Sequence, residues 1–187
     1  METQKTIYIN FFDSIDPVKV NRFIQFCTDV IKQYEPSELY FLIASNGGDV
    51  DSGFVLYNYL ISLQSKLTVT MHNTGTIDSI ANVIFMSGQK RFAASNAAFL
   101  FHGVAMNFNG PQSRTTIKES LSRIVRMENR IGVTISQNSK LTEEELEILF
   151  RQGEGRDVNF ALEKGIIHEI KSPAVSPGAI HLTMTFV

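Results

Sequence analysis

The sequence predicts a single α/β domain built on a largely parallel β-sheet, and two observations support this prediction. Short apolar segments typical of strands alternate along the chain with longer segments whose apolar residues recur at helical spacing. One predicted strand, Leu39–Ala44, is apolar without interruption, as expected where helices cover both faces of a sheet. Strands that alternate with helices are typical of α/β folds with parallel sheets.

The first half of the chain is predicted to contain four strands and three helices. Asp16 suits the N-cap of the first helix, and Pro17 suits its first helical position. The pair Lys90-Arg91 is predicted to lie on a solvated turn. The predicted strands are Ile7–Phe12, Leu39–Ala44, Leu67–Met71 and Ala97–His102, and the predicted helices are Pro17–Tyr34, Ser52–Gln64 and Ser79–Ser87.

The second half is predicted to be mostly helical. Arg114–Gln137 is a long, charged helix with one apolar stripe, and Thr142 with Glu145 forms a capping-box pattern before the next helix. Asp157 is a plausible N-cap of a short helix that stops at Gly165. A core strand (Ile166–Ile170), a linker (Ser172–Gly178) and an edge strand (His181–Val187) follow, so we assign one domain to residues 1–171 and a proline-containing tail to 172–187.

The composition argues against several classes of protein. Hydrophobic residues make up 43% of the 187 residues and charged residues 19%, as in ordinary globular proteins, and a net charge of −2 argues against nucleic-acid binding. The single cysteine, Cys27, excludes an internal disulfide and a cysteine-based zinc site, and its helical setting predicts a buried, inert thiol. No signal-peptide pattern or membrane-length apolar run is present, which predicts a cytoplasmic location and no membrane partner.

Three features could together form a nucleophilic site. Gly47-Gly48 follows a strand; such a pair is usually only a tight turn, but it also lets backbone amides approach a developing oxyanion. Ser79 begins an apolar helix, where a serine is usually a cap, but where backbone amides also favour negative charge. The amide of Ile80 would be a second oxyanion donor. His102 ends a strand and is either a core histidine or a general base.

These residues lie in an ordered set of motifs that resembles the proteolytic subunit of the ATP-dependent Clp protease, the ClpP family. The resemblance covers most of the chain. Ser45–Val50 with Gly53 resembles SPGG-x-V…G, Gly75-x-x-x-Ser79 resembles G-x-A-A-S, Lys90-Arg91-Phe92 followed by His102 resembles KRF…H, and the helix from Arg114 resembles the long handle helix. By this resemblance Ser79 is the nucleophile, His102 is the base, and the amides of Gly48 and Ile80 form the oxyanion hole.

The resemblance implies a ClpP/crotonase-like βαβ spiral with a protruding handle helix. It implies a serine endopeptidase that cleaves unfolded or short peptides through an acyl-enzyme on Ser79, without a metal or cofactor. It also implies a homo-oligomer, as a heptameric ring or two stacked rings, with an AAA+ unfoldase as a candidate partner. Only about six residues precede the first strand, so we expect the axial loops that engage the unfoldase to be missing or very short.

The chain departs from the family pattern at the triad acid and beside the nucleophile. Asp78 stands where the family has a small residue. Counting without gaps from Thr142 to Gly165 places the family's catalytic Asp at Gly153, while Asp157 lies four residues nearer to Gly165. Asp157 is therefore a candidate both for the triad acid and for a helix cap.

Two other functions stay open. The chain could be a non-catalytic assembly subunit, or a crotonase-type enzyme that acts on CoA thioesters. A crotonase needs no serine–histidine pair, so the pairing of Ser79 with His102 argues against that function.

Overall fold

A computed structural model describes residues 5–184 of the chain. The first four residues of the predicted domain and residues 185–187 of the predicted edge strand lie outside the described residues. The strands are β1 (Thr6–Phe12), β2 (Glu38–Ser45), β3 (Thr68–Asp78), β4 (Lys90–Ala93), β5 (Ala98–Leu100), β6 (Gly155–Asp157), β7 (Glu169–Ile170) and β8 (Ile180–Thr183). The helices are α1 (Pro17–Tyr34), α2 (Val50–Leu63), α3 (Ala81–Phe85), α4 (Arg114–Gln137), α5 (Glu143–Gln152) and α6 (Val158–Glu163).

The strands form one mixed sheet in the order β6-β5-β3-β2-β1-β8, and β4 pairs with both β3 and β7. Every strand pair is parallel except β5 with β6, so the predicted α/β fold with a largely parallel sheet is confirmed. Strand β3 pairs with β4 through residues 70–73 and with β5 through residues 76–78. The C-terminal end of β3 therefore lies between β2 and β5, where several loops converge.

Helix α1 shows how local sequence and core packing act together. The Oδ1 atom of Asp16 accepts hydrogen bonds from the amides of Val18 (3.0 Å) and Lys19 (2.9 Å), which confirms the predicted cap. The apolar face of the helix then packs on the sheet: the ring centroid of Phe23 lies 4.8 Å from that of Phe11. Cys27 is fully buried on the same face, and burial raises the pKa of its thiol, as the sequence predicted for an inert cysteine.

The second half of the chain also follows its capping signals. The Oγ1 atom of Thr142 accepts from the amide of Glu145 at 3.2 Å, and the amide of Thr142 donates to Glu145 Oε2 at 3.0 Å, so the predicted capping box is present. Helix α4 has the predicted bounds, but its apolar stripe is buried only in the C-terminal half. The N-terminal half exposes Ile117 (54%), Leu121 (61%) and Val125 (46%). Of the described helices, none is long and apolar enough to cross a membrane.

The prediction of a solvated turn at Lys90-Arg91 was wrong for Arg91. These residues begin β4, and the guanidinium of Arg91 is buried. Its nitrogens donate to the carbonyl oxygens of Gly88 (3.0 Å), Asn138 (2.8 Å), Gly165 (3.1 Å) and Ile166 (2.7 Å). Three of these carbonyls come from distant parts of the chain, so local composition could not predict that a charge would be buried there.

Candidate active site

Ser79 lies in a sharp turn between β3 and α3. Its φ angle is +56°, in the left-handed region that residues other than Gly, Asn and Asp rarely occupy. The Ser79 amide donates to the Leu100 carbonyl at 3.0 Å, and Asn82 Nδ2 donates to the carbonyls of Ser79 (3.1 Å) and Leu100 (2.9 Å). Two of these hydrogen bonds hold the turn to β5 and the third lies within the turn, and the backbone strain is concentrated at the serine.

The two glycines of the predicted oxyanion segment pack against this turn. Gly47 has φ +81°, and a Cβ there would lie 2.7 Å from the Cβ of Ser79 and 2.8 Å from the carbonyl oxygen of Asp78. Gly48 has φ +148°, and a Cβ there would overlap the carbonyl oxygen of Ile15. Only glycine fits at either position, because both the backbone angles and the neighbouring atoms exclude a side chain.

Two backbone amides next to Ser79 are available for an anion. Among the described residues, the amides of Gly48 and Ile80 donate no hydrogen bond to the protein. The Ile80 amide nitrogen lies 3.3 Å from the position that a Cβ on Gly47 would take, so it is close to the glycine pair. Unused amides of this kind can stabilise an oxyanion because they are fixed before the charge develops.

His102 follows β5 by two residues and is exposed. Its Nδ1 atom lies 2.8 Å from the carbonyl oxygen of Gly103. Because a carbonyl oxygen only accepts, Nδ1 carries the hydrogen, and Nε2 of the neutral ring is left as a proton acceptor. Within residues 5–184, His102 and Ser79 share no hydrogen bond.

Asp78 is the last residue of β3 and lies directly before the serine. It pairs with Leu100 in the parallel register of β3 with β5. Its Oδ1 atom is buried and has no hydrogen-bond partner in the described part of the chain. Burial raises the pKa of the Asp78 carboxyl, and the positive charge of nearby His102 acts in the opposite direction.

The structure does not bring Asp157 to His102. Asp157 pairs with Ala98 at the far end of β5, and its Oδ1 atom accepts from the Phe160 amide at 2.9 Å as the N-cap of α6. Four residues of extended chain separate Ala98 from His102, or about 13 Å. The pairing of β5 with β6 ends at Leu100 and Gly155, and beyond it the Gly103 amide donates to the carbonyl of Phe150, in α5, at 3.1 Å.

A family model described as Clp protease matches residues 4–174. The chain belongs to the Clp protease family. One similar protein is the "ATP-dependent Clp protease proteolytic subunit 2" of Borreliella burgdorferi, which is 25% identical over 142 residues. The matched region makes up 71% of this chain and 66% of that protein.

Strand β8 lies beyond the region that the Clp protease family model matches. It runs parallel to β1 at the edge of the sheet, and its His181 bonds to Asn10 at 2.9 Å. The buried His72 bonds to the Tyr40 hydroxyl at 2.7 Å, so both histidines already serve structural contacts.

Among the described residues, no group of three or more His, Cys, Asp or Glu side chains could hold a metal ion.

Sequence reasoning missed two parts of the site. The predicted third strand ended at Met71, but β3 continues to Asp78 and delivers Ser79 to the edge shared with β5. The β-branched residues Thr74, Thr76 and Ile77 could have indicated the longer strand. No sequence pattern signals that Asp78 Oδ1 is buried without a partner, because its burial depends on how β2, β3 and β5 end beside one another.

Proposed function

We propose that this member of the Clp protease family is a serine endopeptidase with Ser79 as its nucleophile. The observation that carries the proposal is the Ser79 turn itself. A serine in a left-handed turn packs against the glycine pair and has two unused amides beside it. Strained, solvent-accessible turns of this kind present a nucleophile to substrate, as the strand-to-helix elbows of hydrolases do.

In the proposed mechanism, Ser79 Oγ attacks the carbonyl carbon of a peptide bond while Nε2 of His102 takes the hydroxyl proton. The amides of Gly48 and Ile80 hold the oxyanion that forms. The C–N bond then breaks, and the leaving amine receives the proton from His102. Water attacks the resulting ester, His102 again takes and returns a proton, and the acid product leaves with Ser79 free.

The proposed substrates are short or unfolded peptides that bind as extended strands beside Gly47-Gly48. An extended backbone offers its own amides and carbonyls to such a segment, which suits substrates of varied sequence. The relative from Borreliella burgdorferi is named as a subunit of an ATP-dependent protease. An AAA+ unfoldase partner and a cytoplasmic location remain predictions for this chain.

We also propose that the chain assembles into a heptameric ring or two stacked rings. The N-terminal half of α4 supports this, since its Ile117, Leu121 and Val125 side chains are exposed on one helix. Exposed apolar residues grouped in this way are typical of protein interfaces. Light scattering of the full chain should give the mass of seven or fourteen copies, and a monomeric mass at micromolar concentration would contradict the proposal.

A non-catalytic assembly subunit is the second candidate function. Two observations favour it: among residues 5–184 His102 makes no hydrogen bond to Ser79, and the candidate acid Asp157 caps α6 instead of bonding to His102. Hydrogen bonds between catalytic groups are often long before substrate binds, so this geometry does not exclude activity.

Labelling with a fluorophosphonate probe separates the two functions. The full chain should form one covalent adduct, which peptide mass mapping should assign to Ser79 and which Ser79→Ala should lose. Serines that lie outside activated sites provide the internal control, since they should stay unlabelled. A folded oligomer that takes up no probe would favour the assembly subunit.

A further inference from the structure

We propose that Asp78 is the carboxylate that stabilises the protonated form of His102, in place of the acid missing at Gly153. Asp78 would act through His102 and would not touch substrate, so it is a positioning residue. The inference rests on the proposed peptidase function, and it assigns a role to the residue next to the nucleophile.

The pairing of β3 with β5 places Asp78 and His102 on neighbouring segments. Asp78 pairs with Leu100 in the parallel register, and the amide of Ser79 donates to the Leu100 carbonyl at 3.0 Å. His102 follows Leu100 by only two residues. The same hydrogen bond that holds the nucleophile to β5 therefore also holds Asp78 near the segment that carries the histidine.

A buried carboxylate oxygen is costly unless a donor or a positive charge compensates for the loss of water. Asp78 Oδ1 is buried without a hydrogen-bond partner in the described part of the chain, which makes it an unusual group beside a candidate nucleophile. His102 is the charged group whose interaction with Asp78 favours the ionised carboxylate.

Several charged groups on the elements around the His102 segment have partners of their own in the described part of the chain. On α4, Glu128 Oε1 accepts from the Val104 amide at 2.9 Å. At the end of α5, Arg151 lies 3.5 Å from Glu147 in an ion pair on the same helix. In β6, Arg156 pairs with Glu154 at 3.1 Å and donates to Gln152. Asp78 Oδ1, by contrast, is buried and has no hydrogen-bond partner among the described residues.

The two tasks of a triad acid would be divided between two groups. The Gly103 carbonyl accepts from Nδ1 and so selects the tautomer whose Nε2 can take the proton of Ser79. The Asp78 carboxylate would supply the negative charge that favours the resulting imidazolium. It would accept no proton, just as the acid of a serine triad does not.

The test follows the ring resonances of His102 by NMR during a pH titration of the full chain, in wild type and in Asp78→Asn. The His102→Gln spectrum assigns the signal. The titration midpoint should fall by about one pH unit in Asp78→Asn, a tenfold loss of proton affinity, because the imidazolium loses a nearby negative charge. Asp157→Asn is the matched control: it removes a carboxylate but keeps a good N-cap, so the midpoint should not move.

Fluorophosphonate labelling supplies the kinetic measurement. In Asp78→Asn the plateau rate should fall about threefold or more, and the midpoint of the pH–rate profile should move to lower pH. A residue with only a structural role would lower the rate without moving the midpoint. A shift of the NMR midpoint in a chain that takes up no probe would support the Asp78–His102 pair and overturn the peptidase function alone.

A second variant, Asp78→Ala, tests the same charge in case Asp78→Asn does not fold, because it removes the carboxylate and leaves a small side chain. It should give the same shift and be at least as stable as wild type, since the Asp78 carboxylate oxygen that is buried makes no hydrogen bond among the described residues. An unchanged His102 titration in both variants would overturn the proposal. If both variants fail to fold, the proposal is also overturned, because Asp78 then makes a contact that the folded protein needs.

Discussion

The left-handed conformation of Ser79 predicts that this position stores strain, which two substitutions can measure. Ser79→Gly and Ser79→Ala both remove the hydroxyl, so neither should react with a fluorophosphonate. They differ in backbone freedom at φ +56°. An L-residue with a Cβ costs about 1–2 kcal/mol there, whereas glycine avoids this cost but loses about 0.5–1 kcal/mol through its more flexible unfolded state.

The midpoints of these two ranges differ by about 0.75 kcal/mol, so Ser79→Gly should be more stable than Ser79→Ala by roughly that amount. For a domain of this size, 1 kcal/mol shifts the melting temperature by about 2–4 °C, so the two variants should differ by about 1–4 °C. Thermal unfolding by circular dichroism measures the difference. Both proteins must be compared at one concentration, because self-association raises the apparent melting temperature.

Ser65 provides the matched control, since it lies in an exposed turn and has no positive φ angle. There the glycine variant should be less stable than the alanine variant, so the sign reverses between the two sites. Equal stability of the two Ser79 variants, or the same sign at both serines, would refute the strained turn.

Three further predictions concern the glycine pair, the position of the missing acid and the buried arginine. Gly48→Ala should lower the labelling rate about a hundredfold, because its Cβ overlaps a backbone carbonyl and displaces the amide donor, whereas Gly132→Ala, which has open space around its Cβ, should label normally. Normal labelling of Gly48→Ala would exclude its amide from the oxyanion hole. Gly153→Asp should raise the labelling rate up to about fivefold, the effect of an exposed charge pair worth up to about 1 kcal/mol; its Cβ has open space, and Asp is among the residues that tolerate the φ of +60° best. Gly155→Asp carries the same charge two residues away, and an equal gain there would show that position 153 has no special access to the histidine. Arg91→Met should lower the free energy of unfolding in urea by about 3–5 kcal/mol, because four backbone carbonyls lose a charged donor, and a loss below 1 kcal/mol would show that water replaces it.

Elements with local signals were predictable from the sequence. The N-cap at Asp16, the capping box of Thr142 and the whole span of α4 depend on residues within a few positions of one another, and all three are present. The order of motifs also predicted the Clp protease family, which the family model confirms.

Elements that depend on distant partners were not predictable. Strand β6 has three residues and exists because Gly155–Asp157 finds the free edge of β5. Arg91 is buried because carbonyls from the ends of α4 and α6 converge on it, although its own sequence context is that of an exposed turn. Short strands and buried charges of this kind are stabilised by contacts that sequence patterns do not encode.

In the candidate site, too, some features were predictable from the sequence and others were not. The sequence by itself determined that a glycine pair, a serine and a histidine occur in the order and spacing of a known peptidase family. Only the tertiary structure decided that Gly47 contacts the Ser79 turn, that Asp157 caps a helix far from His102, and that a carboxylate oxygen of Asp78 is buried without a donor. Caps and helical periodicity act within a few residues, but the environment of a charge is set by whichever strand ends fold against it.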